Sequence, residues 1–245
     1  MDYNVLARSY NPLAYHEQLK KTLIAFYCDE SLYTFSKYDL HKKVNNDLLA
    51  FYHGEEVLKF RLANYHRDKE CVAAFEVNAF NSRADFLAIN GTTRCFEIKS
   101  KIDTLSRLKK QSTDYKYLFE YNTIVVDEKH IDQTNAIIPD YYGIWSFKGN
   151  QRIVYRKALI SPELNPTKQL NILTKKELKN QFFITEINEI QNSFSPNDIN
   201  SKFKIILKKR YNERWSFLLK YWNLILPIDL QFFFNRNIDP KIIYS

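Results

Sequence analysis

Residues 82–100 read Ser-Arg-Ala-Asp-Phe-Leu-Ala-Ile-Asn-Gly-Thr-Thr-Arg-Cys-Phe-Glu-Ile-Lys-Ser. Two strand-sized runs, Phe86 to Ile89 and Thr93 to Ile98, flank Asn90-Gly91, two residues that tolerate the positive φ of a tight turn. The stretch is therefore predicted to be a β-hairpin. Side chains alternate along a strand, so Glu97 and Lys99 share one side while Ile98 faces the other. Whether Asp85 joins them depends on register. A strict two-residue loop sets Asp85 against Phe96 and turns its carboxylate to the wrong face. A three-residue loop or a bulge sets it directly across from Glu97. The chemistry of the segment requires the longer loop.

Working outward, Cys71 to Val77 and Thr123 to Val126 are further strand-sized runs, and Asp103 to Tyr121 carries Leu105, Leu108, Tyr115, Leu118 and Phe119 at helical spacing, with Asp103 as N-cap. Gly143 to Lys148 and Arg152 to Tyr155 form a candidate hairpin across Gly149-Asn150. Upstream, Ser36-Lys37-Tyr38-Asp39 is a capping box before Leu40, Val44, Leu48, Leu49 and Tyr52, and a second helix follows Gly54. Downstream, Pro162 and Pro166 mark a boundary. Thr174-Lys175-Lys176-Glu177 is another capping box, and Ser195 with Pro196 opens a helix extending to about Leu226. The reading is an α/β protein with an α-β-β-β-α-β core: a helical region over 1–70, a sheet-bearing core over 71–158, and a helical lobe over 159–245.

Composition agrees with a folded chain. Of 245 residues, 45% are hydrophobic and 26% charged, with only 4 Gly and 7 Pro, which excludes low-complexity or collagen-like organisation. Seventeen Tyr, 18 Phe and 3 Trp supply a sizeable core. The net charge of +8 favours a polyanionic partner. Cys28, Cys71 and Cys95 are odd in number and widely spaced, which suggests neither a disulfide framework nor a zinc knuckle and fits a reducing cytoplasm. The first residues lack the pattern of a secretory signal, and no apolar run is long enough to span a bilayer.

Two carboxylates on adjacent strands, Asp85 and Glu97, are hard oxygen ligands suited to Mg²⁺ or Mn²⁺. Lys99 is placed to hold or deprotonate an attacking water, and Glu76, one strand earlier, to bind metal directly or through water. On the following helix Gln111 and Tyr115 are four apart and share a face, and Lys101, Arg107, Lys109, Lys110 and Lys116 make that helix a surface for backbone phosphates.

These residues resemble the PD-(D/E)xK nuclease superfamily: Asp85, then Glu97-x-Lys99, then Gln111-xxx-Tyr115 as in its RecB-like branch. Ser82-Arg83-Ala84-Asp85, Glu97-Ile98-Lys99-Ser100, Asp103-Thr104-Leu105 and Arg107-Leu108, with Pro139 and Gly143 downstream, are similar to a small bacterial family of that superfamily. The likeness covers roughly Phe35 to Phe147, and Ala84 stands where the superfamily has Pro. It implies a restriction-endonuclease-like mixed sheet and Mg²⁺-dependent hydrolysis of nucleic acid, usually DNA, with RNA as the other substrate. Asp85, Glu97, the Ile98 main chain and Glu76 are then the expected metal ligands. Asp85, Glu97, Lys99, Gln111 and Tyr115 are the expected catalytic set, and Arg83, Ser100, Lys101, Arg107 and Lys110 the expected nucleic-acid contacts. A bacterial defence or DNA-processing setting is a further expectation, motivated only by a small chain that carries no helicase of its own.

The rival reading keeps the fold without the reaction, as a nucleic-acid-binding or scaffold protein. The C-terminal lobe is the candidate surface for a second copy or a partner protein. Within it, Ser201 to Lys220 holds seven Lys and Arg against Glu213, read either as a phosphate clamp or, with slight preference, as a solvated face over Phe203, Ile206, Leu207, Trp215 and Leu218. The five His fall at no metal-ligand spacing, and no Gly-rich phosphate loop, GxSxG or HExxH is present.

Overall fold

A computed structural model describes residues 1–245. Four helices come first: α1 (Tyr3–Ser9), α2 (His16–Tyr27), α3 (Lys37–Phe51) and α4 (Glu55–His66). The sheet region follows as β1 (Val72–Ala79), β2 (Ser82–Asn90), β3 (Thr92–Lys99), α5 (Leu108–Tyr115), β4 (Tyr121–Val126), α6 (Ile131–Ile137), β5 (Gly143–Lys148) and β6 (Gln151–Arg156). The chain ends in α7 (Pro166–Asn171), α8 (Lys175–Phe182), α9 (Ile187–Ser193), α10 (Pro196–Tyr221), α11 (Leu230–Arg236) and α12 (Pro240–Tyr244). The strands form one six-stranded mixed sheet in sequence order, so the fold is α/β with helices at both ends. β1, β2 and β3 are antiparallel, β3 to β4 and β4 to β5 parallel, and β5 to β6 antiparallel. No helix is long and apolar enough to cross a membrane.

The caps expected from sequence are present. Ser36 accepts the Asp39 N–H, Ser195 accepts that of Asp198, and Thr174 and Glu177 make both halves of a capping box. One expectation needs correcting. The helix after β3 covers only Leu108–Tyr115, because Asp103 reaches back to the N–H and Oγ of Ser100 at 2.7 and 2.6 Å instead of forward to cap a helix. Residues 101–107 are turn as a result.

Strand periodicity divides the core between the two sides of the sheet. Ile124, Val126 and Ile144 pack with Leu105, Leu108, Ile138 and Tyr142, whereas Val125 and Trp145 join a 40-residue cluster that also includes Leu58 and Leu62 of α4 and Phe203, Leu207 and Trp215 of α10. That larger cluster extends across both sequence boundaries, near 71 and 159. The helical lobe thus shares its core with the sheet. Glu120, just before β4, fastens this junction by accepting the Thr93 N–H at 2.7 Å and bonds from Asn200 and Lys204 at 2.9 Å. Of the seven cations between Ser201 and Lys220, Lys202, Lys204 and Arg210 turn to Gln181, Glu120 and Glu177, while Lys208, Lys209, Arg214 and Lys220 are exposed. The stretch is a helical face over core, with three of its seven cations held by neighbouring elements.

His66 lies inside the core, with Nδ1 2.9 Å from the Leu62 carbonyl and its ring 5.3 Å from both Phe86 and Phe96. Burial pulls its pKa from 6.5 to about 4. The contribution of this histidine to stability is therefore complete above pH 6.5 and is lost as pH falls toward 4. His66→Asn keeps a local donor but loses the ring. Its deficit against the wild type, read from urea midpoints, is expected to shrink by about 2–3 kcal/mol between pH 7.5 and 4.5. An unchanged deficit would show that the imidazole is not buried neutral.

Candidate functional site

The β2–β3 register places the carboxylates. Ile89 pairs with Thr93 and Asn90 with Thr92, leaving Gly91 at the tip with φ of +65°. This is the longer of the two loops considered, and continuing the register sets Asp85 opposite Glu97. Backbone pairing stops at Phe86–Phe96, and beyond it Asp85 Oδ2 accepts the Ile98 N–H at 2.6 Å. On the other side Glu76 lies between the pairs Phe75–Phe86 and Val77–Ala84, so it faces Asp85. Its φ of +54° is strained for a residue with a side chain and breaks the ladder there. Glu76, Asp85 and Glu97 thus form one row across three strands.

A cavity of about 640 Å³ opens over this row. Glu55, Glu76, Asp85, Glu97 and Lys99 line it, with Arg83, Arg107, Lys110 and Gln111 around them, and Ile98 and Phe80 are its only apolar residues. Carboxylate oxygens of Glu55, Glu76 and Asp85 all lie within 4.8 Å of one another. Burial raises the Asp85 carboxyl well above its ordinary range, and the nearby charges of Glu97 and Glu55 add to the rise. Glu97 is also raised by burial, against the opposing pull of Lys99.

Glu97 is held from three directions. Lys99 Nζ (2.5 Å) and Gln111 Nε2 donate to Oε1, and Tyr115 OH donates to Oε2 at 2.6 Å. Gln111 and Tyr115, expected in the catalytic set, therefore act on the carboxylate of Glu97. Tyr115 is fully buried, and its hydroxyl also donates to the Arg83 carbonyl at 2.9 Å. Their helix stands over the Glu97 side of β3 because Glu97 aligns with Ile124, whose side chain packs with Leu108 of α5.

The other expected residues separate into two groups. Arg83, Arg107 and Lys110 line the cavity, Arg83 with Nε 2.9 Å from Glu76 Oε2. Ser100 and Lys101 do not. Ser100 is buried and bonded to Asp103, and Lys101 lines a different cavity with His53, Arg61 and Lys148, because the turn after β3 carries the chain away from the row.

Two charged residues were not legible beforehand. Glu55 enters from the first turn of α4, where an acid after Gly54 reads as an ordinary helix start. Lys59, one turn later and buried, bonds Glu55, Glu76 and, at 2.7 Å, Gln231 of α11. Burial works against its charge, yet Glu55, Asp85 and Glu76 hold its pKa above the ordinary lysine value.

Comparison with known proteins completes the picture. Protein cII of Enterobacteria phage P4 is 33% identical over 130 residues, which are 50% of this chain and 49% of that protein. The chain thus spans about half the length of that curated relative. A solved structure, the SPO1766 protein of unknown function from Silicibacter pomeroyi, aligns with 45% of this chain and 75% of its own, at 20% identity and a TM-score of 0.36. Residues 54–233 match the family described as Bacteriophage P4 protein cII, a span that holds the whole carboxylate row, and the chain belongs to that family.

Proposed function

We propose that this protein is a metal-dependent nuclease hydrolysing DNA phosphodiester bonds on a restriction-endonuclease-like core. The observation that carries the proposal is the row of Glu76, Asp85 and Glu97 across three strands, with Lys99 beside it, in a cavity rimmed by Arg83, Arg107 and Lys110. The donor set fits a hard divalent cation: Glu55, Glu76 and Asp85 offer only carboxylate oxygens, close enough to share one ion once the Lys59 ammonium that bridges Glu55 and Glu76 moves aside. Mg²⁺ or Mn²⁺ held there polarises a phosphoryl oxygen and acidifies water.

The chain's own groups supply the remaining functions. Asp85, fixed by the Ile98 N–H, points its carboxylate into the cleft. Lys99, with Nζ on Glu97, is placed to orient the attacking water. Gln111 and Tyr115 keep Glu97 from rotating away, and Arg107 and Lys110 attract the phosphate backbone. We place the protein in the cytoplasm, where its three free thiols stay reduced. For cutting both strands of a duplex, a second copy of the chain would supply the second site.

A second reading, a nucleic-acid-binding protein without catalysis, is favoured by Lys59, whose ammonium already bridges Glu55 and Glu76. A cleavage assay separates the two. Plasmid and single-stranded DNA are incubated with Mg²⁺, Mn²⁺ or EDTA, beside Lys99→Ala. The nuclease reading expects products with either metal, none with EDTA, and at least a hundredfold loss in the variant. Binding without products under all conditions favours the second reading.

A further inference from the structure

Phe80 stands out on the rim of the cleft. Ala79 pairs with Ser82, so Phe80 and Asn81 alone make the turn between β1 and β2. Phe80 has φ of +58° while Asn81 is not in the left-handed region. A two-residue turn with positive φ only at its first position is one that glycine normally fills. A bulky residue there is strained, and such strain persists where the side chain serves another purpose.

The ring lies outside the three apolar cores, and Phe80 is 39% exposed. Its nearest charged companion, Lys168 of α7, lies 6.0 Å from the ring centroid and sits closer to Tyr117, at 3.2 Å. Yet Phe80 lines the same cavity as the carboxylate row, beside Asn78, Asn81 and Arg83. A strained, partly exposed aromatic ring lining the same polar cleft as the Arg83 guanidinium is a combination suited to gripping an unpaired base and its phosphate.

We propose that Phe80 is a stacking platform for an unpaired nucleobase, so that the strand entering the cleft is single-stranded or locally unpaired. The inference rests on the nuclease reading and names its substrate class. Inside a duplex every base face is already covered by its neighbours, and away from the ends a ring on the rim finds nothing to stack against. Arg83, ion-paired with Glu76 and largely exposed, contacts the adjoining phosphate.

The strained turn makes the test discriminating, because strain and stacking respond oppositely to glycine. In an Asp85→Asn background, fluorescence anisotropy measures binding of a labelled 12-nucleotide single strand and of the blunt duplex of the same sequence. Adding Phe80→Gly is expected to weaken single-strand binding about 5- to 100-fold. Duplex binding stays unchanged, and the melting temperature holds or rises because glycine relieves the turn. Phe80→Trp restores single-strand binding. An oligonucleotide with one abasic position, moved along the strand, loses affinity at one place for Phe80 and at none for Phe80→Gly.

Equal single-strand binding by Phe80→Gly overturns the stacking role while leaving the nuclease reading intact. So does a clear fall in melting temperature, which would make the ring structural. Conversely, a Phe80-dependent grip on single strands without metal-dependent cleavage by the wild type keeps the platform and removes the hydrolysis.

Discussion

Asp85→Asn is expected to lose Mg²⁺- or Mn²⁺-dependent DNA cleavage by on the order of a thousandfold or more, corresponding to about 4 kcal/mol of transition-state stabilisation. The amide retains an oxygen that accepts the Ile98 N–H, so the β2–β3 geometry survives while the charge is lost. Burial, with the charges of Glu97 and Glu55, raises the Asp85 carboxyl well above its ordinary range, so a cation shared with Glu55 and Glu76 would offset the cost of its charge. Two effects on stability accompany the loss of activity. With EDTA the variant melts at or above the wild-type temperature, because a buried like charge has been removed. With added Mn²⁺ the wild type gains stability and the variant gains little, since a ligand that binds only the folded state stabilises by mass action. Thermal melts with and without metal, beside the cleavage rates, check all of this. A variant that cleaves like the wild type would remove Asp85 from the site.

Trp215→Ala is expected to destabilise the protein by about 3–5 kcal/mol, a large part of the 5–15 kcal/mol typical of a folded chain. Trp215 is fully buried on α10, edge-on to Phe86 of β2 with ring centroids 6.2 Å apart. It joins the C-terminal helices to the strand that carries Asp85. Because sheet and helical lobe share the 40-residue core, the loss appears as one cooperative transition shifted by roughly 6–20 °C, not as early melting of a separate lobe. Trp215→Phe keeps the ring contact and removes an indole N–H that is buried without a partner, so it costs far less. Circular dichroism and tryptophan fluorescence melts that fail to coincide would show the lobe to be independent.

The same residues mark how far local pattern reaches. The Asn90-Gly91 hairpin, the Glu97-Lys99 alternation and the helix N-caps at Ser36, Thr174 and Ser195 were legible because each is set by neighbours a few residues apart. The register that aligns Asp85 with Glu97 was open between two loop lengths, and only the requirement that the two carboxylates meet selected the longer one. The helix expected to begin at Asp103 failed for a local reason too: Asp103 had two bonding partners within reach, a helix start and Ser100, and sequence does not rank them. Ser100 and Lys101 were grouped with the site through the family likeness, and the turn after Lys99 carries them away from the cavity.

Sequence by itself determined the sheet, its central hairpin and the side of β3 on which the acid and the amine lie, since period-two alternation and turn chemistry are properties of adjacent residues. Tertiary structure alone decided that Glu55 and Lys59 of α4 complete the acidic group, that Gln111 and Tyr115 clamp Glu97, and that Gln231 of α11 reaches Lys59. Those contacts join elements as many as 172 positions apart, and they form only when burial of a common apolar core brings the helices onto the sheet.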